Sequence, residues 1–189
     1  MNELKARYQE LWSEVDREGV KELLEWLDTT DFYTAPCSTK YHLAREGGLL
    51  EHSLHVYSQL DLKINDDLRE SARIVSLSHD FCKINFYGQE MRNVKENGVW
   101  VQKPYYVVKD TFPLGHGEKS AVYVNRFIKL KPAEWMAIRW HMGSFTPGIQ
   151  DYSLSQALSE AFKNYPLALL LHIADMEASY LLEKEEPNE

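Results

Sequence analysis

Four polar residues stand where apolar ones are expected, and their types could hold a metal. His52, in "GGLLEHSLHVYSQLDLKI", lies three residues after Leu49 and four before Val56, on the apolar face of an expected helix. His79 and Asp80 interrupt the apolar run "ARIVSLSHDFCKI". Asp175 follows Leu171 by four in "LALLLHIADMEASYLL", so it points the way the core leucines point. A carboxylate in that setting is costly unless it is paired, hydrogen-bonded or bound to a cation. Neither aspartate has an arginine at matching helical spacing. Each residue alone has an ordinary explanation: a core histidine bonded to a carbonyl, or an aspartate meeting a base on a neighbouring helix. Together they supply the two imidazoles and two carboxylates that a borderline first-row divalent metal accepts.

Two further histidines extend the set. "PLGHGEKS" presents His116 from a loop between two glycines, which permits close backbone approach. "AIRWHMGSF" puts His141 in the last turn of a helix, where the helix dipole alone favours a histidine.

These residues need a scaffold, and helical periodicity runs through most of the chain. Residues 2–16, 19–30, 47–64 and 66–84 read as helices, the last with Asp66 or Asp67 as its cap and with His79-Asp80 inside it. Residues 118–130, 131–143, 154–164 and 166–185 read the same way, with Pro132 suited to a first helical position and Gly143 to a stop. Between them, β-branched and aromatic residues flank Asn97-Gly98, the strongest short hairpin signal. The expectation is an all-α bundle with a β-hairpin inserted at about 89–109. No repeat or linker is visible, so residues 1–189 are expected to form one domain, with helices in 1–30 packed on the core and an acidic tail at 181–189.

The formal charge of −8 over 189 residues argues against non-specific nucleic-acid binding. Residues 1–30 carry −4 and residues 181–189 carry −3, which leaves the intervening body at −1 and compatible with a phosphate ligand. Cys37 and Cys82 form no CxxC pair and no disulfide framework, so reduced thiols are expected. Eight charges in the first twenty residues speak against a secretory signal, and "YPLALLLHIA" is too short to span a bilayer. A cytoplasmic location with no membrane partner is expected.

The order His52, His79-Asp80, Asp175 resembles the metal signature of the HD-domain phosphohydrolase superfamily. "GGLLEH" and "SHDFCKI" are similar to stretches of its bacterial members, including the HD modules of certain 3′→5′ exoribonucleases, and the similarity runs from about Tyr41 to Tyr180. The resemblance implies an HD-type helical bundle whose metal ligands are His52, His79, Asp80 and Asp175. In two-metal members, two more histidines lie between the HD pair and the last aspartate, and His116 and His141 fill those places. Asp80 would bridge the metals, Lys83 would face the phosphate, and His42 would touch it. Phe81-Cys82 departs from the small Ile-Gly usual there, and the hairpin is not part of the minimal fold. His55 and His172, three residues from His52 and Asp175, are candidates to orient those ligands.

The resemblance further implies one divalent transition metal (Mn, Fe, Co, Ni or Zn, with Mg allowed) or, as expected here, two. Two cations roughly 3.5–4 Å apart would activate a water against a phosphate ester. The expected protein is therefore a metal-dependent phosphohydrolase of a nucleotide or related small phosphate ester, with Asp80, Lys83, His116 and His141 as its catalytic residues. Lys83, His42, Arg45 and Arg139 would bind substrate. Rival readings are a di-iron oxygenase using nearly the same ligands, a nuclease acting on RNA or single-stranded DNA ends, and a non-catalytic nucleotide sensor. The hairpin's bases (Arg92, Lys95, Lys103, Lys109) are nearly balanced by Glu90, Glu96 and Asp110, which disfavours the nuclease. Oligomeric state is not legible from these residues.

Overall fold

Helical apolar spacing on either side of Asn97-Gly98 sets the plan of the molecule. A computed structural model describes residues 2–184. Before the hairpin come α1 (Asn2–Ser13), α2 (Val20–Leu27), α3 (Gly48–Asp61) and α4 (Arg69–Ser78). After it come α5 (His116–Asn125), α6 (Pro132–Trp140), α7 (Tyr152–Asn164) and α8 (Pro166–Glu177). Pro132 and Pro166 open their helices, where a missing N–H costs nothing. Asp151 caps α7 by accepting from the Ser153 and Leu154 amides at 2.9 and 3.1 Å.

The core forms where α3, α4, α6 and α8 pack on one another, with α1 laid against α3 and α4. Leu49, Leu50, Val56, Leu60, Ile74 and Leu171 are fully buried there, each worth about 1.5–3 kcal/mol in removed apolar surface. Tyr8 ties α1 to α4 by donating its hydroxyl to the Leu77 carbonyl at 2.8 Å. Glu134 of α6 is also buried, and accepts from Arg17 at 2.9 Å, Ser71 at 2.7 Å and the Lys131 amide at 2.7 Å.

Two strands, β1 (Tyr87–Glu96) and β2 (Val99–Val108), pair antiparallel from Tyr87↔Val108 to Glu96↔Val99. Asn97 and Gly98 both take positive φ, 50° and 85°, as the tight turn between right-twisted strands requires. This overturns the all-α class expected from the sequence. The chain combines helices with a two-stranded antiparallel sheet of ten paired positions on each strand, its β-branched and aromatic residues concentrated on β2. The hairpin also spans 87–108 rather than 89–109.

Three local expectations are corrected as well. The helix expected over 66–84 ends at Ser78, and Asp66 and Asp67 sit in a 3₁₀ turn, Asp66–Leu68, instead of capping it. Ser76 and Ser78 bond back to the Ala72 and Ile74 carbonyls at 2.7 and 2.5 Å. Asp80, at φ −105° and ψ 18°, leaves the helical region, and a 3₁₀ turn (Phe81–Lys83) follows. The HD pair therefore stands at a helix end. His116 is the first residue of α5 and not a loop residue. The last helix changes at Ala178 into a π turn, Ala178–Leu182, which brings Glu183 inward to 5 % exposure. Glu183 is thus no part of a solvated tail, and the remainder of that expected tail, 185–189, lies outside the described residues.

Candidate metal centre

Helix ends converge on one point. α3 contributes His52, the residues just after α4 contribute His79 and Asp80, α5 begins with His116, His141 follows α6, and α8 carries Asp175. Gly117 explains how α5 and α6 come so close: a Cβ there would collide with the Ile138 and Arg139 carbonyls. Backbone-to-backbone contact places the His116 and His141 rings 5.2 Å apart, centre to centre. His79 bridges to both sides, its ring 5.2 Å from His52 and 4.9 Å from His141.

The tautomers follow from the partners. Nδ1–H of His79 donates to the Ser76 carbonyl at 2.8 Å, and Nδ1–H of His141 donates to the Ile138 carbonyl at 2.7 Å. Nδ1–H of His52 donates to the Glu183 carboxylate at 3.0 Å. Each ring therefore turns an Nε2 lone pair inward. Nε2 of His52 is 3.2 Å from Nε2 of His79, 3.2 Å from Asp175 Oδ1 and 3.7 Å from Asp80 Oδ2. Nε2 of His141 is 3.6 Å from Asp80 Oδ1 and, fully buried, has no hydrogen-bond partner among the described residues. Nε2 of His116 lies 2.9 Å from the same Asp80 oxygen.

Lone pairs and carboxylates repel at these separations unless positive charge sits among them. Lys83 supplies one charge, its Nζ 2.6 Å from Asp80 Oδ2. Burial would favour the neutral acid at Asp80, but Lys83, His79, His116 and His141 hold it ionised, well below the usual carboxylate range. At Asp175 burial is likewise outweighed, here by His52 first, and the carboxyl stays well below its ordinary value. Burial opposes charge on His52, yet Cys37, Asp175 and Glu183 raise its pKa well above the histidine range. Burial pushes His79 down to about 4, in spite of Asp80. A proton on His52 satisfies Asp175 but leaves the inward nitrogens of His79 and His141 without a donor.

Buried and part-buried His, Asp and Cys groups within ligand-to-ligand distance could thus hold a metal ion: His52, His79 and Asp175; His79, Asp80 and His141; Asp80, Cys82 and His116; and Cys37, His42 and His52. All six residues expected as ligands fall in this one cluster. The centre opens into a cavity of about 850 Å³, within the range of small-molecule sites. Lys83 and His42 line it, together with Tyr41, Tyr87, Phe145 and Tyr180. Tyr87 and Val108, at the base of the hairpin, border the cavity, and the Tyr87 hydroxyl donates to the Cys37 carbonyl at 3.1 Å.

Arg45 and Arg139, expected to clamp phosphate, are not brought there. Arg45 is exposed and pairs with Glu51 at 2.5 Å. Arg139 pairs with Glu118 at 2.5 Å and stacks on Trp140, 4.0 Å from the ring centre. His172 is anchored instead of orienting Asp175: its Nδ1–H donates to the His141 carbonyl at 2.6 Å. His55 meets the centre only through Glu183, 2.9 Å from its Nδ1.

Glu183 and Cys82 are the residues that sequence patterning misses. An α-helix rotates about 100° per residue, which would carry Glu183 roughly 80° past the Asp175 face. The π turn removes that offset, and nothing in "SYLLEKE" announces a π turn. Cys82 sits in the turn after the HD pair with Sγ 3.2 Å from His116 Nδ1.

Comparison with family models, with characterised proteins and with solved structures finds no match. Among the described residues, no helix is long and apolar enough to cross a membrane.

Proposed function

We propose that this chain is a metal-dependent phosphohydrolase whose substrate is a nucleotide or related small phosphate ester. The observation that carries the reading is the inward Nε2 set of His52, His79 and His141. Nε2 of His52, His79 and His141 face Asp80 and Asp175 while Nδ1 of each is committed elsewhere, and a divalent cation there would displace the proton that His52 shares with Asp175. The resemblance of "GGLLEH", "SHDFCKI" and "HIADMEAS" to the HD-type phosphohydrolase signature points the same way and rests on those residues alone.

His52, His79, Asp80 and Asp175 would hold one divalent transition metal, and Asp80, His116 and His141 a second. When bound, such a pair lowers the pKa of water toward neutrality and offsets charge on a phosphoryl group. The chain's own side chains do the rest. Asp80 is kept ionised by Lys83, so it is ready to ligate over the working pH range. Lys83 lines the cavity with its ammonium beside that carboxylate, where it can meet a phosphate oxygen. His42, its ring 5.2 Å from His52, stands at the same wall. Tyr41, Tyr87 and Phe145 offer flat apolar surface to the organic part of the ester.

A second reading has one observation in its favour. Cys82 Sγ, His116 and Asp80 form a chain, with Sγ 3.2 Å from Nδ1 and Nε2 2.9 Å from Oδ1, as in a thiol nucleophile with its base. Cys82 is 3 % exposed and does not line the cavity that His116 and Asp80 line, so substrate cannot reach its sulfur.

The test is to strip the protein with chelator, restore Mn, Fe, Co, Zn or Mg singly, and measure bound metal and phosphate released from a nucleotide panel. Metal-restored release supports the phosphohydrolase. Release that persists in the stripped protein and stops in Cys82→Ser supports the second reading.

A further inference from the structure

We infer that Cys82 is a thiolate ligand of the second metal position, beside Asp80 and His116, which tunes that position toward zinc-like ions. This inference rests on the metal centre proposed above. Cys82 is nearly fully buried, and a buried free cysteine commonly packs as a small hydrophobe. Its sulfur does not face hydrocarbon here. Sγ lies 3.5 Å from His116 Nε2 and 4.0 Å from Asp80 Oδ1, and those two atoms are 2.9 Å apart. Ligand bonds of about 2.3 Å to sulfur and 2.0–2.2 Å to nitrogen and oxygen give tetrahedral edges of roughly 3.4–3.6 Å. The sulfur-to-nitrogen edge matches that value, while the edge to Asp80 is longer by about 0.4 Å and the His116–Asp80 edge shorter by about 0.5 Å, so an ion would draw the sulfur in and part the other two.

Two further features belong to the same corner. Nε2 of His141, fully buried and without a hydrogen-bond partner among the described residues, is 3.6 Å from the same Asp80 oxygen. The turn that carries Cys82 is also fixed against the helix that carries His116. The Cys82 amide donates to Ser120 Oγ at 2.9 Å, one helical turn beyond His116. Sulfur and imidazole are thus held in register before any ion arrives, as a ligand pair requires.

The chemical consequence is a choice of metal. A carboxylate with two imidazoles accepts Mg or Mn as well as softer ions. Adding a thiolate shifts the preference to Zn, Co or Fe. Binding breaks the S–H bond and the thiol proton leaves to solvent, as does the proton that His116 Nε2 shares with Asp80.

Cobalt(II) reports a thiolate ligand directly, through a sulfur-to-metal charge-transfer band in the near ultraviolet. The stripped full-length chain, loaded anaerobically with cobalt alone, should show that band. Cys37→Ser should keep it. Cys82→Ser should lose it while retaining cobalt at the first position, and should bind the second cobalt at least 10-fold more weakly, given that even an outer partner is worth 10–100-fold. Zinc-edge X-ray absorption of the unmodified protein needs no variant and should find one sulfur at about 2.3 Å. Cobalt that binds without the band, a band that survives Cys82→Ser, or a zinc shell of nitrogen and oxygen only would each overturn the thiolate ligand and leave the metal centre standing. Failure to bind any cobalt or zinc would overturn both.

Discussion

Removing the Glu183 carboxylate should weaken metal binding without unfolding the chain. Glu183 is 5 % exposed, and its oxygens accept from Nδ1 of His52 at 3.0 Å and of His55 at 2.9 Å. It acts through His52 and is a positioning residue: the carboxylate fixes the tautomer that turns Nε2 of His52 inward. In Glu183→Ala, His52, itself 1 % exposed, is left with a buried N–H and no acceptor. An orphaned buried donor costs about 1–3 kcal/mol, and the tautomer that relieves it protonates Nε2 and forfeits the lone pair. At 1.4 kcal/mol per tenfold, that range corresponds to a loss of roughly 5- to 150-fold in affinity at the first metal position, in line with the 10–100-fold usual for such partners. Competition with a chromophoric chelator measures it directly. Glu183→Gln, whose amide oxygen can still accept from His52, should recover most of the affinity. Unchanged metal affinity in Glu183→Ala would refute this role, as would an equal loss in Glu183→Gln.

Asp80→Ala should abolish binding at both metal positions, because Asp80 approaches His52, His116 and His141 through its two oxygens; full metal content in that variant, by elemental analysis, would contradict the shared-ligand role. Arg45→Ala and Arg139→Ala should leave kcat/KM for phosphate esters within about twofold, whereas Lys83→Ala should lower it at least 10-fold, the scale of one charge-assisted hydrogen bond. In chelator-treated protein, burial keeps His79 neutral down to about 4, whereas the unfolded chain protonates it near 6.5. The folded pKa is depressed, so the unfolded state binds the proton first. Its contribution to stability is whole above pH 6.5 and is lost as pH falls toward 4. Urea unfolding at pH 7 and pH 5 should show about 2 kcal/mol more loss in the parent than in His79→Gln. Glu134→Ala should cost about 3 kcal/mol through the loss of Arg17's buried partner and yet leave the affinity of the folded protein for metal unchanged.

What the sequence reveals about the site, and what it conceals, has a physical pattern. His52 and Asp175 are legible because leucines and valines at helical spacing fix the direction of their side chains. Asn97-Gly98 announces a turn that only residues tolerant of positive φ can make. The HD pair is visible as chemistry but misplaced in structure. Helix termination after Ser78 depends on serine hydroxyls competing for carbonyls, and periodicity does not register that. Gly115 and Gly117 make His116 read as a loop residue. Gly117 instead serves tertiary contact, letting α5 meet the α6 carbonyls. Arg45 and Arg139 lie away from the cavity, paired with Glu51 and Glu118, partners that only the folded arrangement reveals. Glu183 was hidden by a π turn and by the acidic company it keeps in "LLEKEE".

In the function proposed here, these side chains would hold a divalent pair that activates water against a phosphate ester. The most direct test is phosphate release from the preferred ester, followed while metal is titrated into stripped protein. Release should be absent without metal and should rise to a plateau near two ions per chain. Two ions bound with no release from any phosphate ester, or release indifferent to the metal added, would contradict the account.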